Sequence, residues 1–231
     1  MMSRNLQAAR GGDIAFGMDG EFEGNGKGWR GSEDLWIDAA YTLLVETGVE
    51  SVKVMTMAKA LGLSRTSFYW HFPDREALLN ALIRRWRDKN TGNLIARTEL
   101  YAATIAEAVF NLFDCWITPD LFDARLDFAI RNWAQTAPEL KRVLEQADAA
   151  RIDAIRTMFE RHGFSAVQAD IRARNVYLTQ VGYIAMMTEE PLDTRLARMP
   201  VYVETFTGRP PDPSDTERFM ARHAARGAQS A

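Results

Sequence analysis

Met57-Ala58-Lys59-Ala60-Leu61-Gly62-Leu63-Ser64-Arg65-Thr66-Ser67-Phe68-Tyr69-Trp70-His71-Phe72 decides how this chain reads. The pattern is two short helices joined by a tight turn. Met57, Ala58 and Leu61 share one face at helical spacing, Gly62 tolerates positive φ without a steric penalty, and Leu63 closes the corner. Ser64 restarts the chain as an N-cap, because its hydroxyl accepts from an amide of the next turn that has no partner inside the helix. Phe68 points back toward the face of Leu61. Arg65, Thr66, Ser67, Tyr69, Trp70 and His71 are left facing outward, so the second helix of this helix-turn-helix displays hydrogen-bonding and aromatic side chains.

Upstream, Ser32 to Thr47 reads as a first helix. Ser32 caps it, Leu35, Trp36, Ala39, Ala40, Leu43 and Leu44 form its apolar stripe, and Gly48 ends it. Three helices sharing a Trp36, Leu43, Leu61, Phe68 and Phe72 core make a domain of about 60 residues, small enough to lean on its neighbour. Residues 1–31 hold 8 of the 15 glycines with no apolar period, and are expected to be a disordered arm. Gly26-Lys27-Gly28-Trp29-Arg30-Gly31 matches G-x-G-x-x-G, but no strand leads into it and no βαβ pattern follows, so it is not read as a dinucleotide site.

From Ser64 to Leu79, through Ser67-Phe68-Tyr69-Trp70-His71-Phe72 and the helix start Asp74-Arg75-Glu76-Ala77-Leu78-Leu79, the sequence resembles the DNA-binding domain of the tetracycline-repressor (TetR) family of bacterial transcriptional regulators. The resemblance covers roughly residues 33–85. It implies an all-α protein: a three-helix helix-turn-helix domain over 32–93, and a helical effector-binding and dimerisation bundle over 94–231. It also implies that Tyr69 and His71 touch phosphate, that Arg65, Thr66 and Ser67 reach base edges, and that Arg75 stands where relatives usually place a phosphate-binding lysine. Trp70 belongs to the same outward set. The physical case agrees, since a guanidinium at the start of a recognition helix can fork onto guanine. Arg75 also opens a helix whose free amides can converge on one phosphate. Two positions depart from the family: Lys53 stands where a capping Ser or Thr is common, and Met55 where a polar residue is usual.

The net charge of -3 excludes a protein that coats nucleic acid indiscriminately. Residues 51–91 nevertheless hold eight basic residues against three acidic ones, a local excess suited to meeting phosphate with one face. Cys115 is the single cysteine, so no intramolecular disulfide forms. With no apolar run long enough to span a bilayer and no signal-peptide pattern, a cytoplasmic location is expected.

In the remainder, Asp74 to Asn90 is expected as a helix with a looser joint at Gly92. Helices then follow over Glu99–Trp116, from a Thr118-Pro119 start to Gln135, from Pro138 to about His162, and from a Ser165-x-x-Gln168 capping box to about Thr188. Leu192–Phe206 is expected to kink or split at Pro200, and Ser214-x-x-Glu217 to cap a last helix. Candidate effector contacts are Phe110, Phe113, Trp116, Arg131, Trp133 and Tyr177, with Cys115, Met158, Asn132 and Gln180 beside them. Arg131 is the candidate for an anionic group. The helices near 165–188 and 192–206 are the expected homodimer interface, because one recognition helix reads too few base pairs.

The function expected from these readings is a ligand-responsive DNA-binding regulator, a repressor, that meets a pseudo-palindromic operator as a homodimer. The alternatives are an all-helical small-molecule-binding protein or an enzyme without DNA binding. Support for an enzyme is thin: His71, His162 and His223 fall in no metal-binding spacing, and no base is displayed for Cys115. No cofactor or metal is expected.

Overall fold

The computed structural model describes residues 31–227, which hold eleven α-helices and no strand. The expected arm over residues 1–31 and its glycine motif lie outside the described residues except for Gly31. Ser32 caps α1 (Glu33–Thr47), its Oγ accepting the Leu35 amide at 3.2 Å. A 3-10 turn at Val49–Ser51 leads to α2 (Val54–Leu61), whose N-cap Lys53 makes no side-chain capping bond. Gly62, at φ 63°, turns the chain through the left-handed region into α3 (Arg65–Phe68), and Ser64 Oγ caps α3 by accepting from Ser67 N at 3.1 Å. Trp36, Phe68 and Phe72 are buried together, Trp36 standing edge-on to Phe68 at 5.3 Å; Leu43 and Leu61 are only partly covered.

Asp74 caps α4 (Arg75–Trp86), its Oδ1 accepting from Ala77 N at 2.8 Å. The helix does not loosen at Gly92. A π-helical turn, Arg87–Gly92, carries it into α5 (Asn93–Glu99), so one rod runs from the helix-turn-helix into the second half of the molecule. Asn90 holds that turn in place: its amide donates to the Asp123 carbonyl at 3.0 Å and its Oδ1 accepts from Asp123 N at 2.8 Å.

Two starts differ from the sequence reading. The expected Glu99–Trp116 helix is α6 (Ile105–Ile117), because the chain reverses over 100–104 and Thr104 supplies the cap by accepting from Glu107 N at 3.0 Å. Thr118-Pro119 ends α6 instead of opening α7. The Thr118 amide is already spent on Asp114 O, and the Asp123 carboxylate, next to Ala124, caps α7 (Ala124–Ala134). The long α8 (Pro138–Arg161) follows, with Pro at its first position as expected. Gly163, at φ 84°, closes α8, and both halves of the Ser165/Gln168 capping box form at the start of α9 (Ala166–Ala185). In α10 (Leu192–Thr207), Pro200 lies within the helix without splitting it. The last helix, α11 (Pro213–Gly227), begins two residues earlier than a Ser214 cap implies, with Asp212 Oδ1 accepting from Ser214 N at 2.8 Å and Pro213 in the first position, where its missing N–H costs nothing.

Two apolar cores result. One joins α5, α6 and α8–α11 around Phe110, Phe113, Phe159 and Phe206. The other is the helix-turn-helix core, and it continues into α7 and the first half of α8 through Leu126, Ile130, Leu140 and Leu144. The small domain therefore leans on its neighbour with its core side.

Between the cores lies a buried polar cluster. Asp127 Oδ1 accepts from Trp86 Nε1 at 2.8 Å and Arg151 Nη1 at 3.0 Å, and its Oδ2 accepts from Arg131 Nε at 2.8 Å. Arg131 forks onto Asp148 at 2.9 and 2.7 Å. Tyr177 donates to Asp148 Oδ1 at 2.6 Å and accepts from both arginines at 3.0 Å. Arg151 Nε reaches Thr91 Oγ1 at 2.9 Å. Burial by itself pushes the Asp127 carboxyl up, but Arg151 and Arg131 together outweigh it and hold the group below the usual carboxylate range.

Replacing Asp127 with Ala strands the fully buried Arg151 charge and is expected to lower unfolding stability by ~3–5 kcal/mol, read from urea titrations. Because the folded carboxyl titrates below its unfolded value of about 3.9, its contribution is complete above that pH and is lost as pH falls below it. Wild-type protein should thus lose more stability than Asp127→Asn between pH ~5 and ~2.

Candidate nucleic-acid interface and interior cleft

The outward face of α3 is built on the anchor of Phe68. Arg65 and Thr66 are exposed at its first turn. Arg65 Nη2 donates to the Tyr69 hydroxyl at 3.1 Å, with the guanidinium carbon 5.5 Å from the Tyr69 ring centre. This pairing ties up a single N–H and holds the fork in one orientation on the surface. Tyr69 is edge-on to Phe68 at 5.3 Å and keeps its outer edge in solvent. Trp70 is 60% exposed, too much for a residue whose purpose is packing. His71 is half-buried at the end of the turn, its amide donating to Phe68 O at 2.9 Å. Lys53, Thr56 and Lys59 are exposed on α2, the helix packed against α3.

Two expected contacts are corrected. Ser67 is only 7% exposed, and its Oγ lies 2.9 Å from Ser64 Oγ, so it belongs to the turn and does not present itself to base edges. Arg75 is committed elsewhere: Nε donates to Val52 O at 2.5 Å, Nη2 to Val49 O at 2.8 Å, and Nη1 faces Glu76 at 3.2 Å. The Val49 carbonyl already accepts from Val52 N at 3.1 Å within the 3-10 turn, so the guanidinium adds a second donor there and supplies one to the Val52 carbonyl. Arg75 therefore fixes α2 against α4 and is not poised as a phosphate ligand. The Asp74-capped start of α4 remains beside it.

The candidate effector residues divide among four places. Phe113 and Trp116 line a cleft between α6, α9 and α10, of about 470 Å³ counting its open mouth. Phe110 does not, being stacked at 4.4 Å on Phe219 of α11. Arg131 and Tyr177 are members of the Asp127 cluster, and Trp133 packs against the helix-turn-helix core. Cys115 and Met158 are buried in the bundle core around Phe113 and Phe159, Asn132 is exposed, and Gln180 lines the cleft. Burial pushes the Cys115 thiol up to about 12, which leaves no thiolate for nucleophilic chemistry.

The sequence reading missed most of the cleft. Met199, Tyr202 and Phe206 of α10 form one wall, with Tyr202 stacked on Phe206 at 5.6 Å and its hydroxyl 2.7 Å from that of Tyr183 on α9. At the rim, Glu190 pairs with Arg198 at 2.5 Å. Arg195 Nη2 donates to the Trp116 carbonyl at 3.1 Å. The spacing of Tyr202 and Phe206 at i, i+4 was the available signal, and it is shared by every core helix.

An all-helical chain with an exposed, rigidly seated second helix in a helix-turn-helix is of the DNA-binding class. Residues 37–82 match the family model described as bacterial regulatory proteins, tetR family. Over 46 residues the chain is 44% identical to the Escherichia coli tetracycline repressor protein class D, a stretch that is 20% of this chain and 21% of that protein. Only about a fifth of that relative's length is therefore spanned. The whole fold is similar to solved structures of a transcriptional regulator (TerR/AcrR family) from Aquifex aeolicus VF5 and of the fatty acid degradation regulator FadR from Bacillus halodurans. The first is 16% identical with TM-score 0.55, covering 77% of this chain and 96% of that one. The second is 16% identical with TM-score 0.59, covering 79% and 96%.

Arg75→Ala is expected to lower the unfolding free energy by ~1–3 kcal/mol, through the donor lost to the Val52 carbonyl and the second bond lost at the Val49 carbonyl. The salt dependence of DNA binding by the folded variant should keep its wild-type slope, since no phosphate contact is removed.

Proposed function

We propose that the chain is a cytoplasmic, homodimeric, ligand-responsive transcriptional repressor that binds a pseudo-palindromic DNA operator. The observation that carries this reading is the α3 surface, where Arg65, Thr66, Tyr69 and Trp70 stand in solvent on a helix whose inner side is locked by Phe68. A fork oriented by Tyr69 suits guanine in the major groove, and the neighbouring aromatics suit sugar and phosphate edges. His71 adds a donor at the same end.

Dimerisation is supported by α9 and α10. Val167, Ile171, Leu178 and Met186 are exposed on α9 at helical spacing, and Val201 is exposed on α10. An apolar stripe of this length on a helix that already buries its other face fits a second copy of the same stripe, as a two-fold interface requires. The pair would set the two α3 helices about one DNA turn, ~34 Å, apart.

Release is supported by the route between the cleft and the rod. Val176, Thr179, Gln180 and Tyr183 face the cleft from α9, and Tyr177 on the same helix binds both arginines of the Asp127 cluster. Trp86, Asn90 and Thr91 of the rod hang on that cluster. A ligand that wedges α9 shifts the rod only to the extent that it binds the shifted state more tightly.

Fluorescence anisotropy with the DNA upstream of the chain's own gene is expected to show two chains per site. Arg65→Ala should cut the preference for that site over random DNA by about tenfold or more, the value of one bidentate base contact. Equal affinity of the wild type for both DNAs would sink the reading. Ile171→Asp is expected to yield monomers by light scattering while circular dichroism retains the helical spectrum.

A further inference from the structure

The cleft between α6, α9 and α10 is unevenly charged. Its rim carries Arg195, Arg198 and Glu190, and Glu190 is taken by Arg198. Arg195 has no carboxylate within ion-pair distance among the described residues. Its one hydrogen bond goes to a neutral carbonyl, that of Trp116, through a single Nη2. A guanidinium so placed is one anion short, because its planar fork offers donors in pairs and only one is spent.

A second, independent observation concerns Trp116. Its indole Nε1 is buried and has no acceptor among the described residues, although the ring lines the same cleft. A buried N–H without an acceptor is costly, and a small turn of the ring toward the cleft would let a guest's acceptor relieve that cost. The remaining walls are aromatic. Phe113 lies 5.9 Å from Trp116 and 6.3 Å from Phe206, and Phe206 is stacked on Tyr202 with 16° between their planes. These rings touch one another and give the cleft an aromatic lining, whose faces and edges suit an aromatic guest better than a flexible alkyl chain, which would have to give up rotamer freedom to fit.

We propose that this cleft takes a flat aromatic monocarboxylate, with its carboxylate on Arg195 and its ring against the lining formed by Phe113, Trp116, Tyr202 and Phe206. The proposal rests on the reading of the cleft as the effector site, and specifies the chemistry of the effector. The Arg198–Glu190 pair closes the rim without competing for the guest's charge. The Trp116 indole supplies a second donor to the guest, adding to discrimination against molecules that lack an acceptor.

Isothermal titration calorimetry on the full-length chain tests this with three probes: naphthoate, naphthalenemethanol and decanoate. Naphthoate is expected to bind at least tenfold more tightly than the other two. Arg195→Gln should erase the preference for naphthoate over naphthalenemethanol while leaving the affinity for naphthalenemethanol within about twofold. Arg195→Lys, which keeps the charge and loses the fork, should fall between. Thermal unfolding of each variant checks the carbonyl bond that Arg195 also makes, and the wild-type probe series stands without any variant. Equal binding of naphthoate and its neutral analogue, decanoate matching naphthoate, or an unchanged preference in a folded Arg195→Gln protein would each overturn the proposal. Anisotropy with operator DNA is read separately. Naphthoate that binds with the stated preference yet leaves DNA affinity unchanged would uphold the ligand class and remove the effector role of the cleft.

Discussion

One carboxylate, Asp127, decides how the two halves of this molecule meet. It is fully buried, which by itself is unfavourable by several kcal/mol, and it is tolerated because Trp86, Arg151 and Arg131 saturate its oxygens. Hydrophobic surface alone would let the rod slide or turn against α7 and α8 at little cost. Directed bonds from the indole of α4, the amide of Asn90 and two guanidiniums form together in one register only, with Arg151 Nη2 left as the one donor of the cluster without an acceptor among the described residues. The cluster thus trades raw stability for a defined angle between the helix-turn-helix and the bundle. Arg151, stacked 5.1 Å from the Trp86 ring, also fills space that an aliphatic residue would otherwise occupy.

The N-terminal half was largely legible because its signals are local. Ser32, Gly48, Gly62, Ser64 and Asp74 each act on residues within one turn of themselves, so the letters carry the geometry. What escaped was set at longer range. Arg75 looks the same in sequence whether it meets phosphate or the carbonyls of Val49 and Val52, 26 and 23 residues away. Ser67 reads as an outward residue at helical spacing, but α3 is a single turn, and a side chain so close to the Ser64 cap is drawn under it. Thr118-Pro119 and Asp123 are both fair helix starts. The end of α6 decided between them by claiming the Thr118 amide first.

The bundle was legible as helices and poorly legible as a site. Phe110 and Phe113 lie on one helix, three residues apart, and both are apolar; Phe219 claims one and the cleft keeps the other. Arg131 reads in the sequence as a candidate for an anionic guest, but its partners are Asp127 and, on the next helix, Asp148. Arg195, by contrast, sits among Leu192, Thr194 and Leu196 with nothing in its neighbourhood to announce a missing partner. A charge reads as a site only when the chain's own counter-charges have been assigned, and that needs the fold.

The unbroken passage from α4 through the π turn into α5 has a mechanical corollary. At 1.5 Å per residue, the stretch from the Asp127 cluster down to Arg75 is an arm of about 20 Å. A tilt of about 5° at that fulcrum sweeps its tip by ~2 Å, and the symmetry-related tilts of the proposed two-fold pair would change the span between tips by up to ~4 Å, set against a groove repeat of ~34 Å. Gearing of that kind needs no unfolding and no sliding of one half over the other: a few degrees of pivot are enough to take two probes out of step with a rigid duplex.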